Sequence, residues 1–180
     1  ESGQAGSGEA GTAAEPGHLA RKLLLIGGLA LILLSMVYGV IYAGFYLKNV
    51  RQTRANQLLK LVTLASRQAP GEELSRQAGQ FEHEQEIWEE LEDAHSHLAL
   101  FGLIAFAVGA AMGKINLGGV WKLVMAAALL LGAVTLPAGV FWEVVGNPQA
   151  GRVVALGGGI IELLGTGLAL VGFLLNSGHR

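Results

Sequence analysis

The chain contains no cysteine, which excludes disulfide bonds, thiolate zinc sites, iron–sulfur clusters and cysteine nucleophiles. Charged residues are also scarce: they make up 14% of the 180 residues, whereas a soluble domain has roughly 25%. The net charge is −2, and the lack of a basic excess argues against binding to DNA or RNA. A Walker motif, a nucleophile elbow and an HExxH zinc motif are absent as well. Any metal ion must therefore be bound by His, Asp, Glu or Met side chains.

Apolar residues, in contrast, are abundant: they make up 52% of the chain, and the mean hydropathy is +0.48. Four apolar stretches, at about residues 23–47, 94–113, 120–142 and 153–175, contain almost no charge. Each is close to the ~20 residues that a helix needs to cross a hydrocarbon core of about 30 Å. The sequence therefore predicts an all-α integral membrane protein whose membrane domain, residues 21–180, has four spanning helices.

Two segments lie outside the predicted spans. Residues 1–20 are rich in Gly, Ala, Ser and Glu, and we expect them to form a disordered tail. Residues 48–93 form an extramembrane linker that is predicted to be partly helical. Within it, residues 54–67 have the apolar spacing of an amphipathic helix lying on the membrane surface, and Pro70-Gly71 ends that helix. No proline follows before the second span, which predicts one long helix running from the linker into the membrane.

Small and polar residues recur at helical spacing in every span. Because lipid is as apolar as leucine, membrane helices associate through such residues, and these stripes predict the buried faces. The four stripes are Ser35, Gly39, Tyr42 and Tyr46; His95, Ala99, Gly102, Phe106, Gly109 and Gly113; Ala128, Gly132, Thr135, Gly139 and Glu143; and Gly158, Glu162, Gly165, Ala169 and Gly172. Four such faces predict a four-helix bundle, with a kink at Pro137 in the third span.

Asp93, His95 and His97 stand together where the second span begins. Imidazole is a good ligand for heme iron, copper or zinc, so this cluster is the predicted cofactor or metal site. Side chains at i and i+2 on a helix point about 200° apart. An intact helix would therefore direct His95 into the bundle and His97 towards lipid or a partner subunit. The alternative is that both histidines only form hydrogen bonds at the membrane interface.

Glu162 is the only acid well inside a predicted span, and a carboxyl group there is costly. It is predicted either to relay protons or pair with His95 across the bundle, or to form one hydrogen bond between helices. Connectivity places Tyr42, Glu143 and Glu162 at the same end of the bundle as His95. Tyr42 and Glu143 are therefore candidates for supporting the site or handling protons, with interfacial anchoring as the alternative for Glu143.

Residues 95–102 (HSHLALFG) resemble the start of the second span in a family of small four-span bacterial membrane proteins related to the catalytic subunit of heme-copper oxidases. The pattern of that family is His-x-His-Leu-Asn-Leu-x-Gly-Trp, and this chain has Ala99 in place of the Asn and Leu103 in place of the Trp. The shared order of spans and linker covers about residues 22–175. In heme-copper oxidases a His-x-His pair serves two hemes on opposite faces, so the resemblance implies that His95 and His97 are heme ligands.

A complete cofactor site needs more ligands than this pair supplies. The other predicted spans contain no histidine, and Met36 and Met125 are expected at other depths than His95. A bound heme b or copper ion would therefore take a further ligand from water or from a partner chain. This predicts that the chain alone is not a complete enzyme.

We therefore expect a heme- or metal-binding accessory subunit of a bacterial respiratory-type electron-transfer complex in the inner membrane. The alternative is a purely structural subunit, without a cofactor, that packs against a larger membrane enzyme. A proton-coupled carrier that uses Glu162 is less favoured, because the spans show no broken helix or inverted repeat. The expected partners are the lipid bilayer and other membrane subunits or further copies of the chain, and not nucleic acid.

Overall fold

The computed structural model describes residues 15–177, except for the side chains of residues 45, 46, 48 and 177. Over that range the chain forms helices and short connections, with no strand. The long helices are α1 (Pro16–Ile41), α2 (Leu47–Ser66), α3 (Gly71–Ala110), α4 (Gly119–Val145) and α5 (Pro148–Ser177). Four of them, α1, α3, α4 and α5, are long and apolar enough to cross a membrane. The predicted all-α class with four spanning helices is confirmed.

The first helix begins earlier than the sequence predicted. Pro16 lies in the first turn of α1, where its missing N–H costs no hydrogen bond. Ala20 and Leu24 are fully buried, so residues 16–20 belong to the packed helix and not to the predicted tail. The rest of that tail, residues 1–14, lies outside the described residues. The predicted boundary between the tail and α1 was wrong because amino-acid composition does not show that Ala20 is buried against a neighbouring helix.

The linker folds back on itself as a helical hairpin. α1 continues through a π-helical turn (Tyr42–Tyr46) into α2, and α3 runs unbroken over 40 residues from the hairpin into the apolar region. This is the long helix that the sequence predicted. The Gln57 side chain donates a hydrogen bond to the Glu84 carboxylate (2.6 Å), which pairs α2 with the outer part of α3. α2 is therefore not a separate helix on the membrane surface, as was predicted; it stands beside α3. We call α2 together with residues 71–93 the arm.

The small-residue stripes pair off, and this pairing sets the arrangement of the spans. α1 crosses α3 at Gly28, where an added Cβ would lie 2.6 Å from the Phe106 nitrogen and 2.7 Å from the Gly102 oxygen. α4 approaches α5 equally closely at Gly132, where an added Cβ would lie 2.6 Å from the Glu162 nitrogen. Ser35 and Gly39 meet His95 further along the same two helices, so the first stripe meets the second, and the third meets the fourth.

The four spans consequently form a cluster of α1, α3 and α4, with α5 packed almost entirely against α4. Leu24, Ala105, Met125 and Leu129 are among the buried residues of the apolar core, to which α1, α3 and α4 contribute most and α5 contributes Ala169. Pro137 is buried inside α4, and the helix continues through it to Val145. This arrangement separates the helix that carries Glu162 from the two helices that hold His95.

Candidate functional site

His95 lies at the contact between α3 and α1, and its hydrogen-bond partner comes from α1. The His95 Nδ1 atom is 3.0 Å from the Ser35 Oγ atom, and the Ser35 hydroxyl also donates to the His95 carbonyl oxygen (3.1 Å). A hydroxyl has a single proton, so both contacts are satisfied together when Ser35 donates to the carbonyl oxygen and accepts from an Nδ1–H group. We therefore assign the proton of His95 to Nδ1, which leaves the lone pair on Nε2. Ser35 is 1% exposed, so its hydroxyl has little access to competing donors.

The rest of the His95 ring packs against two neighbours of Ser35 on α1. Tyr38 stacks on the imidazole with a centroid separation of 5.4 Å and an interplanar angle of 19°. The Cε1–Nε2 edge faces Gly39, where an added Cβ would lie 3.0 Å from Cε1 and 3.1 Å from Nε2. On its other side Tyr38 stacks on Tyr42, with ring centroids 6.4 Å apart. An alanine at position 39 would thus require the imidazole to shift by a few tenths of an ångström away from α1.

An open groove of about 440 Å³ between α1 and α3 contains one edge of His95. It is lined by Ile32, Ser35, Met36, Gly39, Val40, Ala43, His95 and Ala99. Met36 therefore lies at the depth of His95, and the prediction that placed it elsewhere was wrong. Counting residues from the ends of the apolar stretches misjudged the depth, because the register of the two helices is set where Gly28 crosses α3.

His95 also lines a second space, a largely apolar cavity of about 310 Å³ between α1, α3 and α4. Tyr38 and Phe141 line both this cavity and a neighbouring one of about 330 Å³, which Tyr42 and Trp88 also line. Cavities of this size with aromatic walls and few polar groups are typical of sites for small apolar ligands. His95 thus stands between an open groove on one side and an aromatic cleft on the other.

His97 has different partners from His95. Its Nδ1 atom lies 2.7 Å from the Asp93 carbonyl oxygen, and its ring is tilted against Phe101 with centroids 5.5 Å apart. A carbonyl only accepts hydrogen bonds, so Nδ1 of His97 is also the protonated nitrogen. The Asp93 residue is exposed. Within residues 15–177, no three His, Asp or Glu side chains come together as a set of metal ligands.

Glu162 lies midway along α5, against Gly132 of α4, and is 3% exposed. Both of its carboxyl oxygens are buried without a hydrogen-bond partner in the described part of the chain. The sequence had placed Glu162 near the linker end of the bundle, where it could pair with His95. The structure corrects this expectation, because His95 is bonded to Ser35 and Glu162 occupies the α4–α5 contact.

Tyr42 and Glu143 lie at the linker end of the spans, in different surroundings. Tyr42 is half-buried in the π-helical turn and belongs to the stack of rings that leads to His95. Glu143 accepts two hydrogen bonds from Arg152, from Nη2 at 2.7 Å and from Nε at 3.0 Å. Arg152 is 70% exposed and Glu143 is 14% exposed. The Glu143 carboxylate thus joins the end of α4 to the start of α5.

The residues that support His95 were only partly visible in the sequence. Ser35 and Gly39 belong to the first predicted stripe, but nothing in their spacing shows which residue of α3 they meet. Tyr38 and Met36 fall outside that stripe and were missed as neighbours of the imidazole. Tyr38 and Gly39 are three and four residues from Ser35, and this spacing could have indicated that they lie on the same face of α1 as Ser35.

Comparison with known proteins adds no relative: no protein family, curated protein or solved structure matches the chain.

Proposed function

We propose that this chain is an accessory subunit of an electron-transfer complex in the bacterial inner membrane, and that it binds a heme or a copper ion through His95. The observation that carries the proposal is the contact between the Ser35 Oγ atom and the His95 Nδ1 atom (3.0 Å). With Nδ1 bonded to Ser35, Nε2 is the ring nitrogen left to bind a metal, and His95 lines the groove between α1 and α3. Histidines that bind metals commonly donate their other N–H group to such a partner, which orients the ring.

The donor atoms in this groove fit a heme iron or a soft copper ion. They are the Nε2 nitrogen of His95 and the thioether sulfur of Met36, and both residues line the groove. Imidazole and thioether together are ligands of heme iron and of copper, whereas magnesium and calcium prefer oxygen. Bound there, such a group would supply one-electron transfer. The small side chains of Ala43 and Ala99, together with Gly39, leave the groove open.

A purely structural subunit is the second candidate, and a specific observation favours it. The His95 ring is already engaged in the α1–α3 contact through Ser35, Tyr38 and Gly39. These contacts explain the position of the imidazole as a polar link between two membrane helices. In this function the groove is covered by lipid or by a larger membrane enzyme.

The absorption spectrum and metal content of the detergent-purified full chain distinguish the two functions. We expect a Soret band or stoichiometric copper that is lost in His95→Ala and retained in the control His83→Ala, which removes an exposed arm histidine. Met36→Leu should keep the volume of the groove and alter the spectrum if the sulfur is a ligand. If the protein binds neither heme nor copper, even after incubation with each, the proposal is refuted and the structural subunit is the function that stands.

A further inference from the structure

One face of the helix α2 packs against α3 of the same chain. The described side chains of α2 that are not exposed recur at spacings of three and four residues, and Gln57 among them contacts α3; they are Leu47, Val50, Arg54, Gln57, Leu61 and Leu64. This is the spacing of a coiled-coil seam. The hydrogen bond between Gln57 and Glu84 lies within the seam and sets which residues of α2 and α3 are level with each other. The α3-facing seam accounts for only part of the apolar surface of α2.

A second apolar face of α2 has no partner within the described part of the chain. Leu58, Leu59 and Val62 are 49%, 65% and 65% exposed, and Ala55 and Ala65 beside them are also exposed. We call these five residues the outer stripe. At 3.6 residues per turn, the outer stripe lies about 100° around α2 from the α3-facing seam. Two seams at about this angle are typical of a helix at the corner of a four-helix bundle, where it contacts two neighbours.

The position of the outer stripe relative to the membrane excludes lipid tails as its cover. Gln57 pairs with Glu84, and Glu84 lies ten residues before Ala94, where the apolar stretch of α3 begins. At ~1.5 Å per residue, the outer stripe, which is level with residues 76–86 of α3, therefore lies about 12–27 Å outside the apolar region. This height is measured along α3, which is continuous from Gly71 to Ala110, so it does not depend on the angle between α1 and α2 at the π-helical turn.

The charges on the arm indicate what kind of helix would fit. α2 contains basic residues and no acidic residue. The outer part of α3 contains Arg76 and many acidic residues, namely Glu72, Glu73, Glu82, Glu84, Glu86, Glu89, Glu90, Glu92 and Asp93. A partner for α2 should thus be an acidic helix standing outside the membrane at the same height, and α3 of another copy has these properties.

The heights of the residues agree with this partner. Since Gln57 is level with Glu84 in the antiparallel hairpin, Val62 is level with Gly79 and Arg51 with Glu90. Two copies inserted with the same orientation keep these heights. Gly79 is exposed, and a Cβ added to it would meet no atom within 4 Å. Glycine inside a helix lowers the stability of the helix by about 1 kcal/mol relative to alanine. At position 79 it leaves room for Val62 of a second copy.

We propose that the outer stripe of α2 docks against the outer part of α3 in a second copy of this chain, so that two arms form a four-helix assembly. In this assembly the basic residues of one α2 lie beside the acidic residues of the other α3. The proposal is independent of a heme or copper ion at His95, because the arm and the groove share no residue.

Because the chain has no cysteine, two introduced thiols test the contact directly. Full-length Val62→Cys and Gly79→Cys copies carrying different epitope tags are co-expressed, and the membranes are oxidised. We expect a disulfide-linked heterodimer that carries both tags. The matched control replaces Val62→Cys by Thr63→Cys, which is also exposed but lies about 100° further around α2. Equal cross-linking for the two positions, or none for either, would overturn the proposal.

The mass of the purified protein in detergent provides a second test. The wild type should be a dimer, Val62→Glu should weaken the dimer by about tenfold or more, and Thr63→Glu should leave it unchanged. Helical circular dichroism shows that each variant is folded. A folded Val62→Glu dimer as tight as the wild type would refute the proposal. So would a monomeric wild type whose binding to anionic vesicles is lost in Val62→Glu, since lipid headgroups would then be the partner.

Discussion

Gly157 and Gly158 are neighbours in α5, yet they should respond in opposite ways to replacement by alanine. A Cβ added at Gly158 would lie 2.5 Å from the Thr135 Oγ1 atom and 2.9 Å from the Leu136 Cα atom, whereas one at Gly157 meets no atom within 4 Å. The two substitutions add the same methyl group to the same turn of the same helix. They differ only in whether α4 occupies the space.

The expected free energies follow from these surroundings. Gly157→Ala should stabilise the protein by up to about 1 kcal/mol, because alanine has the higher helix propensity and nothing obstructs its methyl group. Gly158→Ala has the same gain, but overpacking a close contact costs typically about 1–3 kcal/mol. Since the obstruction at Gly158 includes backbone atoms of α4, it cannot be relieved by rotating a side chain. The net result should be a loss of up to about 2 kcal/mol.

Reversible unfolding in mixed micelles of mild and denaturing detergent measures the difference, with helical circular dichroism as the signal. We expect Gly158→Ala to unfold at a lower fraction of denaturing detergent than the wild type, and Gly157→Ala at the same or a higher fraction. Gly132→Ala and Gly167→Ala repeat the comparison, because Gly132 meets the Glu162 backbone and Gly167 meets no atom within 4 Å. Equal midpoints for Gly157→Ala and Gly158→Ala would refute the close α4–α5 contact.

Three further predictions follow from the site and its surroundings. Glu162→Met should raise the free energy of unfolding in the same detergent assay by about 1–3 kcal/mol, because it removes a buried carboxyl that has no hydrogen-bond partner within residues 15–177; a loss of stability would mean that Glu162 has a partner. Gly39→Ala should lower the heme or copper content, because its methyl group would press on His95, and Gly44→Ala should not, because its Cβ meets none of the described atoms within 4 Å; equal content in the two variants would contradict the packing at His95. Arg152→Ala should cost less than about 1 kcal/mol, since its ion pair is largely exposed to solvent; a loss of several kcal/mol would show that this ion pair holds α4 and α5 together.

Much of the fold could be predicted from the sequence because membrane insertion depends on local properties. A span needs enough apolar residues and few charges, and both are visible in any stretch of about 20 residues. The long helix α3 could be predicted for the same reason, since no proline interrupts it before Ala110. In lipid, apolar side chains gain little by associating with each other, so helices pack where small residues allow close approach, and these residues mark the contact faces. The stripes on α1, α3, α4 and α5 were therefore visible too.

The composition of the site was less predictable, as His95 and Glu162 show. Both were singled out because polar residues are costly in a membrane. Their partners were not, because a hydrogen bond such as that between His95 and Ser35 joins residues 60 positions apart. The amphipathic pattern of α2 was also visible, but the same pattern suits a membrane surface and a partner helix. Gln57 and Glu84 decide between them only because the hairpin brings them together.

The sequence by itself determined the number of spans, the long helix into the membrane, the small-residue faces and the absence of thiol chemistry. Each of these depends on the identity and spacing of residues within one segment. Only the tertiary structure decided that α5 packs almost entirely on α4, that Met36 shares a groove with His95, and that Glu162 lies at the α4–α5 contact. These depend on the axial register of neighbouring helices, which is set by close backbone contacts such as Gly28 with Gly102. The sequence of a single helix does not contain this information. An isolated helix could be placed against a neighbour through several of its faces and at several depths.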